Sequence, residues 1–238
     1  MTLTLPSWAA NVGDKRNSEP SQTQQQKKQR VCRKYGSILY TNTINGWHEM
    51  FDKIEVRNKY IHLSPNKNDK SLPLLVMSHG SGGMSDIDLD FANIACANGY
   101  QCAIIDHYTP RGIEYQLWDE SERFIPSFDD RAQDILDVTN DYNTDKRLVF
   151  GISAGGTAAI SCSNQFNKTF TVYPALIAIT SQMLQGKNIT IVVGKDDNWR
   201  AANQAKRFKT YVECDLHCVD GYHGFLNPRQ CRDIPQIM

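Results

Sequence analysis

The chain has 238 residues, enough to bury one sizeable hydrophobic core but short for two, which predicts a single domain. Its 26 basic residues balance 26 acidic residues and 40% of the chain is hydrophobic, so the overall charge indicates neither a nucleic acid nor a membrane surface as a partner. The longest uncharged stretch, residues 169–186, is interrupted by Pro174 and several polar residues, and we assign it to the core rather than to a membrane span.

The first 34 residues differ in composition from the rest. They hold seven basic residues against two acidic ones, and the run SQTQQQKKQR has no apolar periodicity with which to bury surface. We predict a basic, polar and disordered tail over residues 1–34, followed by one domain over residues 35–238. The start of the chain has no basic segment and too short an apolar stretch for a signal peptide, which slightly favours the cytoplasm. The seven cysteines leave the compartment open, with export and pairing of Cys214 with Cys218 or Cys231 as the alternative. The oligomeric state is left open.

Short apolar runs recur along the remaining chain, separated by segments of helical length. Most are continuous and rich in Val, Ile and Leu rather than alternating, which is typical of strands covered on both faces of a parallel sheet. The predicted strands cover residues 54–63, 72–78, 101–106, 147–152, 169–173, 189–194 and 216–219.

Four segments between the later strands predict amphipathic helices. They cover residues 86–98, 130–142, 154–166 and 199–212. Gly99 is placed to end the first helix, and Ser127 or Asp129 to cap the second. Strands that alternate with helices in this way predict an α/β fold, with a mostly parallel, doubly wound sheet of about seven to eight strands and helices on both faces.

The stretch RLVFGISAGGTAAI, residues 147–160, begins as a buried strand and ends as a helix, with Ser153 at the change. A serine in a sharp turn from strand to helix is typical of a nucleophile elbow, in which glycines make room for closely approaching backbone. Gly151, Gly155 and Gly156 supply that room. The alternative is a small residue at a tight turn. Because open α/β sheets bind ligands at the carboxyl ends of their strands, the position directly after a strand favours a nucleophile.

A serine hydroxyl becomes a nucleophile when a histidine takes its proton and a carboxylate orients that histidine. In this fold the acid and then the histidine follow the serine along the chain. Only two histidines follow Ser153. His217 lies inside a predicted strand, whereas His223 lies in the loop just past it, and we therefore favour His223 as the base.

Three aspartates are candidates for the acid. Asp196 and Asp197 both follow the predicted strand 189–194, at the edge where the nucleophile is expected. Asp220 is three residues from His223 and is the less favoured alternative. The pattern of residues does not choose between Asp196 and Asp197.

A tetrahedral oxyanion needs N–H donors fixed where its charge develops. One donor would be the backbone N–H of Ala154, the residue after the nucleophile. The other would come from the loop HGSGG after the strand 72–78, at Ser81 or Gly82. The alternative is a phosphate-binding loop, but the segment lacks the lysine and spacing of a P-loop. The histidines and cysteines show no metal-binding spacing, and we expect no metal and no cofactor.

Six segments occur in an order that resembles the dienelactone hydrolase family of the α/β-hydrolases: VMSHGSGG, GYQCAIIDHYTPRG, FGISAGG, TVYPA, VVGKDDNW and GYHGF. The resemblance covers about residues 50–226. It implies hydrolysis of esters, lactones or thioesters by a Ser or Cys nucleophile with an Asp and a His. Carried onto this chain, it places the nucleophile at Ser153, the acid at Asp197 rather than Asp196, and the histidine at His223. The chain differs from the family in having serine rather than cysteine as nucleophile, and Ala154 where glutamine is common.

We therefore expect a serine esterase that works through an acyl-enzyme on a small-molecule ester, with no nucleic acid and no membrane as partner. Only about fifteen residues separate the strands 169–173 and 189–194, too few for a large cap domain. The rival functions are a peptidase of the prolyl-oligopeptidase kind and a catalytically silent hydrolase fold that binds a ligand or partner.

Three further residues are candidates for lining the substrate pocket. They are His79, Tyr108 and Arg111, which follow predicted strands at the expected catalytic edge. The alternatives are a structural role for His79 within its loop and an ion pair between Asp106 and Arg111.

Overall fold

The structure is a computed structural model that describes residues 53–56, 60–64, 71–113 and 126–225. One eight-stranded sheet organises these described residues. The tail predicted over residues 1–34 lies outside the described residues, as does Cys231. In chain order the strands are β1 (Lys53–Val56), β2 (Tyr60–Ser64), β3 (Leu74–Ser78), β4 (Gln101–Ile105), β5 (Arg147–Ile152), β6 (Lys168–Val172), β7 (Ile189–Gly194) and β8 (Cys214–Val219).

The strands are arranged in the order β1-β2-β4-β3-β5-β6-β7-β8. Neighbours from β4 to β8 are parallel, whereas β2 is antiparallel to both β1 and β4. This confirms the predicted mostly parallel sheet. The chain leaves β3 for β4 on one side and returns to β5 on the other, which opens a crevice at the carboxyl ends of β3 and β5. Open α/β sheets bind their ligands at such a point.

The prediction of one continuous strand over residues 54–63 is wrong. The structure has two antiparallel strands there, β1 and β2, with Ile54 opposite Leu63. Apolar content alone does not show where a chain reverses. The signal was Asn58, a residue type that favours turns, between two runs of strand-forming residues.

Helices cover both faces of the sheet. They are α1 (Asp86–Ala97), α2 (Phe128–Asn140), α3 (Ala154–Ser161) and α4 (Ala201–Lys209). Ser127, one of the two predicted caps, begins α2: its hydroxyl accepts the backbone N–H of Asp130 at 3.0 Å. The helix α3 is shorter than predicted because the chain tightens into a 3-10 turn at Ser163–Gln165.

Two apolar cores result, one on each side of the sheet. Phe91 of α1 and Phe208 of α4 belong to one core, and Ile135 of α2 and Ala158 of α3 to the other. All four side chains are almost completely buried. No helix in the described part of the chain combines the length and apolar character needed to cross a bilayer.

Gly155 allows α3 to lie against the end of β3. A methyl group at this position would overlap the backbone oxygens of Ser78 and His79. The overlap involves backbone, so relief requires the helix or the strand to move. A glycine is therefore required here by the close approach of two elements rather than by its torsion angles.

We expect Gly155→Ala to lower the free energy of unfolding by about 1–3 kcal/mol, because overpacking displaces α3 from β3. Helix propensity alone would act in the opposite direction, raising stability by about 1 kcal/mol. The sign of the change in urea denaturation midpoint distinguishes the two effects. A variant more stable than the wild type would contradict the close approach of α3 to β3.

Candidate active site

Ser153 occupies the turn between β5 and α3 with φ of 51° and ψ of −115°. A residue other than glycine rarely adopts this backbone conformation, which is typical of strained functional positions. The N–H of Ser153 donates to the carbonyl of Val172 at 3.0 Å, tying the turn to β6. Gly151 is needed before the turn, since a methyl group there would overlap the backbone of Gly155. The hydroxyl is thus presented at the carboxyl edge of the sheet.

Ser153, His223 and Asp197 form one chain of hydrogen bonds. The Oγ atom of Ser153 lies 3.2 Å from Nε2 of His223, and Nδ1 of His223 lies 2.9 Å from Oδ2 of Asp197. A carboxylate oxygen can only accept, so Nδ1 of the imidazole carries a proton and donates it to Asp197. In the neutral ring Nε2 then has a free lone pair, and it points at the Ser153 hydroxyl.

Asp197 is held rigidly from its other side. Its Oδ1 accepts the backbone N–H of Trp199 at 2.8 Å and that of Ala201 at 3.5 Å. The side chain is entirely buried. Because both carboxylate oxygens have partners, the carboxylate can remain in place without water and fix the orientation of the His223 ring.

The competing candidates lie elsewhere. Asp196 is exposed, and Asp220 forms an ion pair of 2.8 Å with Lys195 in which both side chains are more than half exposed. His217 is an exposed residue of the edge strand β8. Neither Asp196 nor Asp220 is hydrogen-bonded to His223 in the described structure.

The loop after β3 borders the serine. A methyl group added at Gly80 would lie 3.7 Å from Cβ of Ser153, so this backbone passes directly beside the hydroxyl. Ser81 and Gly82 follow in the same loop and are partly or fully exposed. Ala154 is the first residue of α3, where backbone N–H groups have no partner within the helix. The predicted donors therefore come from two segments that meet at Ser153.

Two aromatic residues that the sequence analysis did not identify flank His223. The ring centroid of Tyr173 lies 4.5 Å from that of the imidazole, and the ring of Trp199 lies 5.8 Å from it. Tyr173 is buried, whereas 60% of Trp199 is exposed. The signal for Tyr173 was its position directly after β6, at the same sheet edge as Ser153.

His79 and Tyr108 do not line a pocket in this structure, contrary to the suggested role. Their exposed fractions are 0% and 1%. Nδ1 of His79 donates to the carbonyl of Gly80 at 2.6 Å, and Nε2 accepts the N–H of His107 at 3.2 Å. Burial lowers the pKa of His79 well below its usual value, in agreement with a neutral ring that donates once and accepts once. His79 therefore has the structural role that was the alternative.

The alternative pairing of Arg111 with Asp106 is also wrong. Arg111 forms two hydrogen bonds with Asp134, of 2.7 and 3.1 Å. Asp106 instead accepts the backbone N–H groups of Tyr108 and Thr109 and so begins the short 3-10 turn that carries Arg111. The Arg111 side chain is 30% exposed, and its charge is directed at Asp134.

A second Ser-His-Asp arrangement lies beneath the first and is closed to solvent. Oγ of Ser78 lies 2.8 Å from Nε2 of His107, whose Nδ1 lies 2.7 Å from Asp134. Burial lowers the pKa of His107 to about 4, although the hydrogen bond to Asp134 acts in the other direction. Ser78 is 1% exposed and His107 is 0% exposed, so no substrate reaches them. The arrangement links β3, β4 and α2 as a structural network.

Among the described residues, no group of three or more His, Cys, Asp or Glu side chains could hold a metal ion. A surface cavity of about 610 Å³ lies between α2 and the segment after α3, lined largely by polar residues including Gln133 and Gln165. It contains none of the residues around Ser153, so the chemistry of the hydrogen-bond chain, and not cavity size, locates the candidate site.

Cys214 and Cys218 are free thiols, so the disulfide suggested between these two residues is wrong.

Comparison with known proteins agrees with this architecture. Neither a scan against protein-family models nor a search of curated proteins finds a match. Among solved structures, a dienelactone hydrolase from Anabaena variabilis superposes with a TM-score of 0.60 at 19% identity, covering 75% of this chain and 87% of that one. A bacterial brefeldin A esterase gives a TM-score of 0.54 at 14% identity, with 72% and 69% covered.

A thioesterase domain from the curacin biosynthetic pathway gives a TM-score of 0.56 at 11% identity, covering 78% of this chain and 97% of that domain. At these identities the likeness concerns the fold. Together with the strand order, the antiparallel hairpin at one edge of the described sheet and the strained serine after β5, it identifies the chain as a protein of the α/β-hydrolase fold.

Proposed function

We propose that this protein is a serine hydrolase that cleaves carboxylic esters through an acyl-enzyme. The observation that carries the proposal is the continuous hydrogen-bond chain from Ser153 through His223 to Asp197, which begins at a strained turn. An ordinary turn serine needs neither a histidine at its hydroxyl nor a buried carboxylate behind that histidine. The resemblance of the fold to a dienelactone hydrolase, an esterase and a thioesterase supports ester-type substrates.

In the proposed reaction, Oγ of Ser153 attacks the ester carbonyl carbon while its proton passes to Nε2 of His223. Asp197 holds Nδ1–H and stabilises the imidazolium that forms. The carbonyl oxygen becomes an oxyanion that accepts hydrogen bonds from Ala154 N–H and from the loop after β3. Collapse of the tetrahedral intermediate breaks the ester C–O bond, and the leaving alcohol takes the proton from His223.

Water completes the cycle. His223 removes a proton from water, the hydroxide adds to the acyl carbon, and the acid is released as Ser153 recovers its proton. The same steps serve lactones and thioesters, since only the leaving group differs. No metal or cofactor enters the proposal, and the partner is a small-molecule ester.

A fluorophosphonate probe tests the proposal directly. We expect folded wild-type protein to form a covalent adduct that mass spectrometry locates on Ser153, and unfolded protein to form none. A panel of p-nitrophenyl esters, lactones, thioesters and short peptides then ranks the substrate classes. Absence of both an adduct and any turnover would favour a silent hydrolase fold that binds a ligand, and turnover of peptides alone would favour the peptidase.

Trp199 is suited to contact the substrate beside His223. We expect Trp199→Ala to lower kcat/KM for an aryl ester roughly 3- to 10-fold, from loss of aromatic packing, and to leave an acetate ester of a small alcohol unchanged. Tyr211→Ala is the matched control: Tyr211 is equally exposed, at 60%, but lies before β8 at the opposite end of the sheet. Steady-state kinetics with both esters measures the difference. Equal losses on both substrates would contradict a specific aromatic contact.

A further inference from the structure

Arg131 is a buried arginine in α2. Among the described residues, no carboxylate forms an ion pair with it. Its exposed fraction is 0%, and its Nε has no hydrogen-bond partner. One terminal nitrogen donates to the carbonyl of His79 at 2.9 Å, and the other donates to the hydroxyl of Tyr108 at 3.0 Å. Burying a cation that forms no direct ion pair costs free energy, and Asp134 interacts with Arg131 only at a distance. Its contacts with the loop after β3 therefore need a specific explanation.

Tyr108 extends this contact to the next part of the loop. Its hydroxyl receives the hydrogen bond from Arg131 and donates its own proton to the carbonyl of Ser81 at 2.6 Å. The Arg131 guanidinium also lies over the Tyr108 ring, 5.3 Å from its centroid. Between these two anchored carbonyls, the carbonyl of Gly80 accepts from Nδ1 of His79 and from the N–H of Gly83. Three successive carbonyls of the loop are thus held by named donors.

Holding these carbonyls also sets the direction of the loop N–H groups. All peptide bonds in the described structure are trans, and in a trans peptide the C=O and the following N–H point in opposite directions. The N–H groups of Gly80, Ser81 and Gly82 therefore point away from the donors that hold the carbonyls. The same loop passes beside Ser153, as the position of Gly80 shows.

We propose that Arg131 and Tyr108 are positioning residues that hold the loop N–H groups in the geometry of an oxyanion site. This inference rests on the proposed function, because it assigns a role in the same reaction. Neither side chain touches the substrate, since both are buried. They should stabilise the tetrahedral oxyanion, in which the former carbonyl oxygen is negatively charged. They should not affect the binding of the uncharged ester.

The variant Tyr108→Phe removes one hydroxyl and keeps the ring. We expect kcat for ester hydrolysis to fall roughly 10- to 100-fold with KM little changed, since loss of a whole oxyanion donor costs about 10²–10³ and here a donor is only misaligned. Affinity for a trifluoromethyl ketone should weaken by a similar factor. In that complex Ser153 adds to the ketone, its proton moves to His223, and the adduct carries an oxyanion.

Tyr60→Phe is the matched control. Tyr60 is buried at 3% exposure and donates its hydroxyl proton to Asp141 at 2.9 Å, on the α2 side of the sheet and away from Ser153. Loss of a buried hydroxyl should lower the melting temperature of both variants, but only Tyr108→Phe should lose kcat and ketone affinity. If Tyr108→Phe does not fold, Arg131→Lys provides the same test, because a lysine keeps the charge but lacks the planar fork that bridges two acceptors.

The outcomes separate this inference from the proposed function. Wild-type protein that neither turns over esters nor binds the ketone would overturn both. An active wild type with an equally active, folded Tyr108→Phe would overturn the inference alone, as would a variant in which KM rises while kcat is retained. A parallel loss of kcat and ketone affinity, with Tyr60→Phe unaffected in both, supports it.

Discussion

Ser153→Ala should hydrolyse esters with a kcat roughly 10⁴- to 10⁶-fold below that of the wild type, because the variant has no atom to form the proposed acyl-enzyme. The residual rate would come from substrate binding and the oxyanion donors. The fold should survive, since alanine removes only the hydroxyl. Initial rates with a p-nitrophenyl ester, measured at high enzyme concentration, test this expectation.

Ser161→Ala is the control for removing a serine hydroxyl elsewhere, from the far end of the helix that follows Ser153. Ser161 lies at the end of α3, is 8% exposed and donates to the carbonyl of Thr157 at 3.1 Å. It should retain the wild-type rate and the fluorophosphonate adduct. A Ser153→Ala protein within tenfold of the wild-type rate would contradict the assignment of Ser153 as the nucleophile. Such activity would instead indicate that His223 activates water directly.

The second large loss of activity is expected on replacing Asp197, the proposed acid. Asp197→Asn should lower kcat roughly 10⁴-fold while leaving KM near its original value. An asparagine can present its NH₂ group to Nδ1 of His223, which then has to accept. The ring proton moves to Nε2, and the lone pair that would take the Ser153 proton is lost.

Asp196→Asn and Asp220→Asn are natural controls for this variant. Asp196 is the exposed neighbour of Asp197, and Asp220 is paired with Lys195 at the surface, so both should keep the wild-type rate. Steady-state kinetics of the three variants, with circular dichroism to verify folding, shows which of the three aspartates is needed for activity. A loss confined to Asp220→Asn would mean that the loop carrying His223 rearranges before catalysis.

Periodicity and chain order predicted most of the architecture that positions the site. Continuous apolar runs located β3 to β7 because strands buried on both faces require them, whereas β8 is a partly exposed edge strand. The rule that ligands bind at carboxyl ends indicated Ser153, His223 and the pair Asp196 and Asp197, and the family resemblance selected Asp197. The structure joins Ser153, His223 and Asp197 by hydrogen bonds. The reversal between β1 and β2 was missed, since both halves are equally rich in strand-forming residues.

The choice between Asp196 and Asp197 shows where pattern reasoning ends. Both follow the same strand, and which one faces inward depends on the turn: the N–H of Asp197 approaches the carbonyl of Gly194 at 3.4 Å, and its side chain then accepts from Trp199. The contacts of Arg131 were even less predictable from the sequence. In sequence it belongs to a charged helix face, whereas its partners are 52 and 23 residues away, and such contacts leave no local signal.

The backbone of Ser153 has a consequence for stability. Holding a residue other than glycine at φ of 51° and ψ of −115° costs on the order of 1–3 kcal/mol, which the rest of the fold must offset. Selection for a stable fold alone would place glycine there, because glycine adopts such angles freely. Stability and the reactivity that we propose for Ser153 are therefore opposed at this residue. Substitutions that relieve its torsion are expected to produce a more robust and less active protein, so thermostability is a poor guide when searching for improved catalysts on this scaffold.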